Sequence, residues 1–230
     1  NRPGVNEYDR KIFRYNVVLP QAYFGYSIDD GIFVGGGAYI KRFNFRDSTF
    51  HRIIGNYAWE TDAFNIRYSM LASSFIRSLD LMIEADVSAP NVVGNFYGLG
   101  NETENRAGLD GELDRDYYRV RYHYGLFSPQ LRKTISEELE VRFGGALIFG
   151  KVERTEGRFI ADLEKNGLSE NIFLDQYLSG FNLEAHYDNR DDEDFPTRGF
   201  NWNMKARRMF GLNDYSGDVT SLSSDLSMFL

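Results

Sequence analysis

Five carboxylates crowd one short stretch of the sequence: Asp188, Asp191, Asp192, Glu193 and Asp194. Hard oxygen donors at that density are the chemistry of a calcium ligand set. Their spacing is not that of an EF-hand loop, however. Acids interleaved with Asn189, Pro196 and Gly199 are also what a solvated turn looks like, and the turn is the stronger reading. His51, His123 and His186 are scattered and match neither His-x-x-x-His nor His-Glu-x-x-His, so metal catalysis has no visible ligands. Cysteine is absent, which removes thiolate metal sites and a disulfide framework. Gly35-Gly36-Gly37 and Gly98-x-Gly100 lack the Lys-Ser/Thr and following helix of a phosphate loop. Asn101-Glu102-Thr103 matches a glycosylation sequon by its letters alone. No catalytic residue, cofactor or metal emerges, and the chain reads as a non-enzyme. What remains is charge at regular spacing: Asn65, Arg67, Glu84, Asp86, Arg119, Arg121, Glu140, Arg142, Glu184, Lys205 and Arg207 each alternate with apolar or aromatic neighbours.

That alternation has period two, the pattern of strands with one apolar and one polar face. Phe64, Ile66, Tyr68 and Met70 oppose Asn65, Arg67 and Ser69. Leu79, Leu81, Ile83 and Ala85 oppose Asp80, Glu84 and Asp86. Leu139, Val141 and Phe143 oppose Glu140 and Arg142; Phe181, Leu183 and Ala185 oppose Asn182, Glu184 and His186; Phe200, Trp202, Met204 and Ala206 oppose Asn201, Asn203, Lys205 and Arg207. Shorter runs add a first strand over 21–27 containing Tyr23 and Gly25, a second over 32–43 and a third over 51–59. On 118–124, Tyr118, Val120, Tyr122 and Tyr124 oppose Arg119, Arg121 and His123, and a final run carries Leu226 and Met228. Residues 128–134, with Pro129, read as a turn, as do 29–31. Long loops are expected over 89–114 and about 153–171. The reading is about ten strands and no convincing helix.

Aromatic residues make up 16% of the chain, and apolar ones 42%, without a run long enough for a membrane helix. Such a composition fits a membrane barrel, whose strands dilute apolar residues one-to-one with polar ones. Several alternating runs reach the roughly 9–11 residues needed to span a bilayer. The long loops follow the fifth and seventh strands and the compact turns follow the fourth and sixth, the asymmetry of outer-membrane barrels. Tyr117, Tyr118, Phe127 and Phe149 are candidates for interfacial girdles. Net charge is −8, which argues against nucleic acid as a partner. No signal peptide is visible, and a start at Asn1 suggests a processed or trimmed chain.

The residues Tyr187-Asp188-Asn189-Arg190-Asp191 followed by Phe195-Pro196-Thr197-Arg198-Gly199-Phe200 sit between two alternating strands. They resemble the Asp-x-Arg-Asp…Phe-Pro-x-x-Gly hairpin of the BamA/TamA (bacterial surface antigen) superfamily of outer-membrane assembly barrels. The likeness rests on Asp188, Arg190, Asp191, Phe195, Pro196 and Gly199. Leu19-Pro20 and Gly25-Tyr26-Ser27-Ile28-Asp29-Asp30-Gly31-Ile32-Phe33 resemble that family's first barrel hairpin. Asn95-Phe96-Tyr97-Gly98-Leu99-Gly100 is similar to a loop of the branch in which the barrel follows a calcineurin-like phosphoesterase domain in Bacteroidetes-type bacteria. The family's Val-Arg-Gly-Phe lid-loop motif and aromatic last strand are absent here.

The resemblance implies an all-β, antiparallel transmembrane β-barrel. About ten of sixteen strands would be present, with residues 1–20 a periplasmic linker and 21–230 the N-terminal part of the barrel. It also implies a Gram-negative outer membrane and contact with lipid and lipopolysaccharide. Outer-membrane protein clients and assembly-complex subunits would be partners, and the strand holding Tyr23 and Gly25 would be a lateral gate. The expected role is assisting insertion or transport of polypeptides. The alternatives are a porin-like passive channel, or a membrane anchor for an upstream phosphoesterase domain. The polar-face residues would line the lumen in any of these.

Overall fold

A computed structural model describes residues 15–27, 31–43, 47–100, 116–192 and 194–229. The 29–30 turn, Asn101-Glu102-Thr103, Glu193 and most of the expected leading linker lie outside them. The chain is all-β. Its strands are β1 (Val17–Ser27), β2 (Gly31–Phe43), β3 (Ser48–Ala58), β4 (Ala63–Ile76), β5 (Leu79–Asn95), β6 (Arg119–Thr134), β7 (Leu139–Val152), β8 (Gln176–Asp188), β9 (Gly199–Gly211) and β10 (Val219–Phe229). They form one antiparallel meander in sequence order, with β1 and β10 at its two edges. The sheet is therefore an open, partial barrel wall. A one-turn helix, α1 (Leu163–Asn166), and two 3₁₀ turns occupy the loop after β7. No helix among the described residues is long and apolar enough to cross a membrane.

The direction of curl can be read from the glycines. A Cβ built on Gly144 would stand 2.6 Å from the Gln130 Cα, and one on Gly180 would stand 2.7 Å from the Met209 Cα. On the opposite face, a Cβ on Gly125 or Gly145 has 3.6 or 3.7 Å to its nearest neighbour. Neighbouring backbone thus closes in over one face and opens away from the other. Glycine permits the close approach on the concave side. Every buried strand residue agrees: Ala58, Ala63, Ser88, Val120, Ser128, Gln130, Ala146, Asn182 and Met209 all fall on that concave face.

Three boundaries differ from the sequence reading. First, β1 starts at Val17 and carries Pro20 within it, opposite Ala38. A proline costs no ladder bond on the open side of an edge strand. Residues 17–20 are thus strand rather than linker. Second, residues 128–134 are not a turn. Pro129 lies inside β6 opposite Ile83, and the β6–β7 register lapses at 128 and 129. There the Ser128 hydroxyl donates to the Gly145 carbonyl at 3.0 Å, and the turn falls at 135–138. Third, β5 runs on to Asn95. A register shift between Ser88 and Val92 absorbs two extra residues, and the loop after it begins later than residue 89.

Candidate functional site

The convex face is apolar and exposed along its middle, with Arg42, Arg119, Arg121, Lys133 and Lys151 on it toward the strand ends. Ile66, Val87, Phe127, Leu147, Phe181 and Met204 all project from it. Phe143 and Phe181, 55% and 57% exposed, stack with centroids 6.3 Å apart near its middle. On β4, β5 and β8 this face has no charged residue. On β9 it has Arg208, which is held by Asp218 at 2.7 Å and lies 4.9 Å from the Phe210 ring.

Aromatic pairs mark both ends of the band. Phe149 and Tyr177 meet at 5.2 Å near the long loops, and Tyr187 and Phe200 stack at 5.0 Å near the acidic hairpin. Tyr177 and Tyr187 bracket β8. Ten residues at about 3.3 Å, tilted about 40°, give a band about 25 Å tall. Phe127 is mid-strand rather than at an end. Tyr117 and Tyr118 join Phe96, Tyr97 and Phe159 in a cluster that ties the two long loops together. Arg158, bonded to Asp116, closes the same tie.

The concave face holds the ionic residues, linked strand to strand. One row runs Asp80, Arg132, Glu140, Arg142, Glu184, Lys205 across β5 to β9. Its contacts are 2.6, 3.4, 2.6, 3.7 and 3.9 Å in that order. Higher up, Asp86 takes Arg67 at 2.9 Å and the Asn65 amide at 2.8 Å. Arg207 donates to Asn182 at 2.9 Å, and Asn182 and Gln130 both donate to Ser128 at 3.1 Å. Ser128 and Asn182 are 2% and 3% exposed, so this knot is within the wall itself. Each ionic cross-strand pair contributes about 0.2–1 kcal/mol. Glu84 shares this face without an ion-pair partner among the described residues.

Arg119 and Arg121 do not belong to this set. The register sets them opposite Asn95 and Val93, with Phe127 and Leu131 on the convex side. Strand β6 is polar on one face near its loop end and on the other near its turn end. Its alternation read from Arg119 onward therefore points the wrong way.

The hairpin between β8 and β9 uses its motif residues to build itself. Arg190 grips Asp188 through two nitrogens, at 2.8 and 2.6 Å, and Asn201 donates to the same carboxylate at 2.9 Å. Asp191 accepts from the Thr197 and Arg198 amides at 2.9 and 3.0 Å and from the Thr197 hydroxyl. Asp192 accepts from the amides of Asp194 and Phe195. Gly199 has φ +101°, and a Cβ there would press on the Asn189 carbonyl oxygen at 2.5 Å. Phe195 stays exposed at the tip. Beside the hairpin, a polar cleft of about 460 Å³ is bounded by Ser136, Glu138, Glu140, His186 and Arg190. Among the described residues, no three His, Cys, Asp or Glu side chains are placed to hold a metal.

These donors hold the Asp191 carboxyl well below its ordinary value, at about 2. A carboxylate depressed on folding adds stability that is full above its unfolded value near 4 and is lost as pH falls through the folded one. Exchange of the Thr197 and Arg198 amides should therefore stay slow at pH 5 and accelerate between about pH 4 and 2 beyond the intrinsic trend. Protection unchanged down to pH 2 would contradict the cap.

Tyr23 and Gly25 lie on the concave face of β1. Tyr23 sits over Gly35 and donates to the Gly55 carbonyl at 3.3 Å, while Gly25 makes room for Phe33. Sequence alternation places Asn182 on the polar face but misses Ser128 and Gln130, because Pro129 makes 128–134 read as a turn. Comparison with protein-family models, with curated proteins and with solved structures finds no match to this chain.

Proposed function

We propose that this chain is part of the wall of a transmembrane outer-membrane β-barrel of the BamA/TamA assembly type, which helps polypeptides insert into or cross the membrane. The supporting observation is the sorting of the two faces. An exposed apolar band between aromatic rows covers the convex side, and a paired ionic wall lines the concave side. In water, such a band would be an aggregation surface; against lipid it is the stable arrangement. Such a wall requires that its two edge strands be paired, because unpaired edges do not persist in hydrocarbon. The edges at β1 and β10 would be closed by further strands of a larger barrel.

The assembly role rests on the hairpin likeness and on β1. A strand carrying Pro20 and Gly25 is a weak partner at the seam. It would serve as the edge on which an incoming strand pairs. The reaction breaks no bond; the work is lowering the barrier to strand insertion. The hairpin between β8 and β9 would face the periplasm and the connections after β5 and β7 the exterior. Lipid, lipopolysaccharide, client barrels and assembly subunits would be the partners. The alternating charges of the concave wall favour a second reading, a passive channel selective by charge.

The test is a reversible lock. In the full-length protein in vesicles, Tyr23→Cys would be joined by a disulfide to a cysteine in the strand that closes the barrel. Client insertion should fall by about an order of magnitude and return on reduction. Undiminished insertion by the locked protein rules out the gate; steady conductance with no insertion activity favours the channel.

A further inference from the structure

The first four strands contain no acidic residue. Strands β1 to β4 hold Lys41, Arg42, Arg52 and Arg67 in a chain whose formal charge is −8. The carboxylates nearest in sequence, Asp47, Glu60 and Asp62, lie in turns at the strand ends. Lys41, Arg52 and Arg67 share the concave face, and among the described residues only Arg67 meets a carboxylate, Asp86 on β5.

Lys41 instead sets its ammonium 4.7 Å from the Phe43 ring and 4.8 Å from the Phe50 ring. The Arg52 side chain is exposed and has no hydrogen bond or ion pair among the described residues. Tyr39 pairs with Arg52, and Lys41 with Phe50, so the four make one block on two adjacent strands. The Tyr39 and Phe50 rings are 6.4 Å apart. The next concave carboxylate is Glu84, two strands away with Ser69 between. Lys41 and Arg52 against that single carboxylate leave the block net positive.

We infer that this block is a docking site for an acidic segment of an extended polypeptide. The inference rests on the membrane-barrel reading above and names the chemistry that its wall selects. A guanidinium whose forked donors meet no acceptor among the described residues matches a carboxylate in two bonds. The flanking rings give the segment's apolar side chains a surface, and β1 lies immediately beside it. The described block offers nothing of opposite sign to hold a basic segment.

The test uses the full-length protein in phosphatidylcholine vesicles and two fluorescein-labelled ten-residue peptides, one alternating Glu and Leu, the other Lys and Leu. Flotation of the vesicles reports membrane incorporation first. Failure there counts against the barrel reading, and binding by incorporated protein then bears on the docking site alone. The Glu peptide should bind, and binding should weaken as salt is raised. Arg52→Gln should weaken it about fivefold or more, Lys41→Gln by less, and Arg52→Lys least. Lys205→Gln, inside the paired row, should change little. Equal binding of the two peptides, or wild-type binding by Arg52→Gln, overturns the inference.

Discussion

Ile66→Lys should cost the membrane-inserted protein about 2–4 kcal/mol, while Asn65→Lys, one residue earlier, should cost little. Ile66 is 45% exposed on the convex face, between Gly55 and Val87. A lysine there would put an ammonium into hydrocarbon. Asn65 is on the concave face and donates to Asp86 at 2.8 Å and to Ser88 at 2.6 Å. A lysine there keeps a donor facing the Asp86 carboxylate. Denaturant unfolding of protein refolded into vesicles measures both. Equal costs would mean that the two faces see the same solvent, and the lipid-facing assignment would fail.

Gly180→Ala should be as damaging, for a different reason. Its new Cβ would overlap the Arg208 carbonyl oxygen and stand 2.7 Å from the Met209 Cα. Backbone has no rotamer with which to escape, so β8 and β9 must part. A cost of about 3 kcal/mol, at the upper end for overpacking, is expected. Gly145→Ala, on the convex face of the neighbouring strand, has 3.7 Å to its nearest atom and should be close to neutral. The same unfolding assay compares the two. Similar losses at both sites would mean that the curl has been assigned to the wrong face.

The strands that were legible in the sequence are those whose alternation is strict. On β4, β5, β8 and β9 apolar and polar residues take turns over long runs, and on β7 over 139–143, so period two fixes both the element and its faces. Strand β6 was not legible as a whole. Pro129 reads as a turn because proline removes a donor, yet here Ser128 bonds the opposing carbonyl and the strand continues. Arg119 and Arg121 read as lumen residues if charge marks one face throughout; near the loop end, charge sits on the convex side. Pro20 concealed four residues of β1 by the same misplaced signal.

The curl was not legible at all. Gly144 and Gly180 look like weak points in a strand, and only the approach of the neighbouring backbone gives them a purpose. The hairpin motif was legible as a turn. The division of labour within it, Asp188 with Arg190 and Asp191 with Thr197, needed coordinates.

In the proposed wall, the convex face meets lipid and the concave face meets water. The chain has no cysteine, so single spin labels can be placed without background. Labels scanned one at a time from Phe64 to Ala72 in the full-length, vesicle-inserted protein would be read for collision with oxygen and with a water-soluble nickel chelate. Oxygen access should peak at 64, 66, 68, 70 and 72, and chelate access at 65, 67, 69 and 71, in strict alternation. Chelate access that is high at both sets of positions would contradict a membrane-spanning wall.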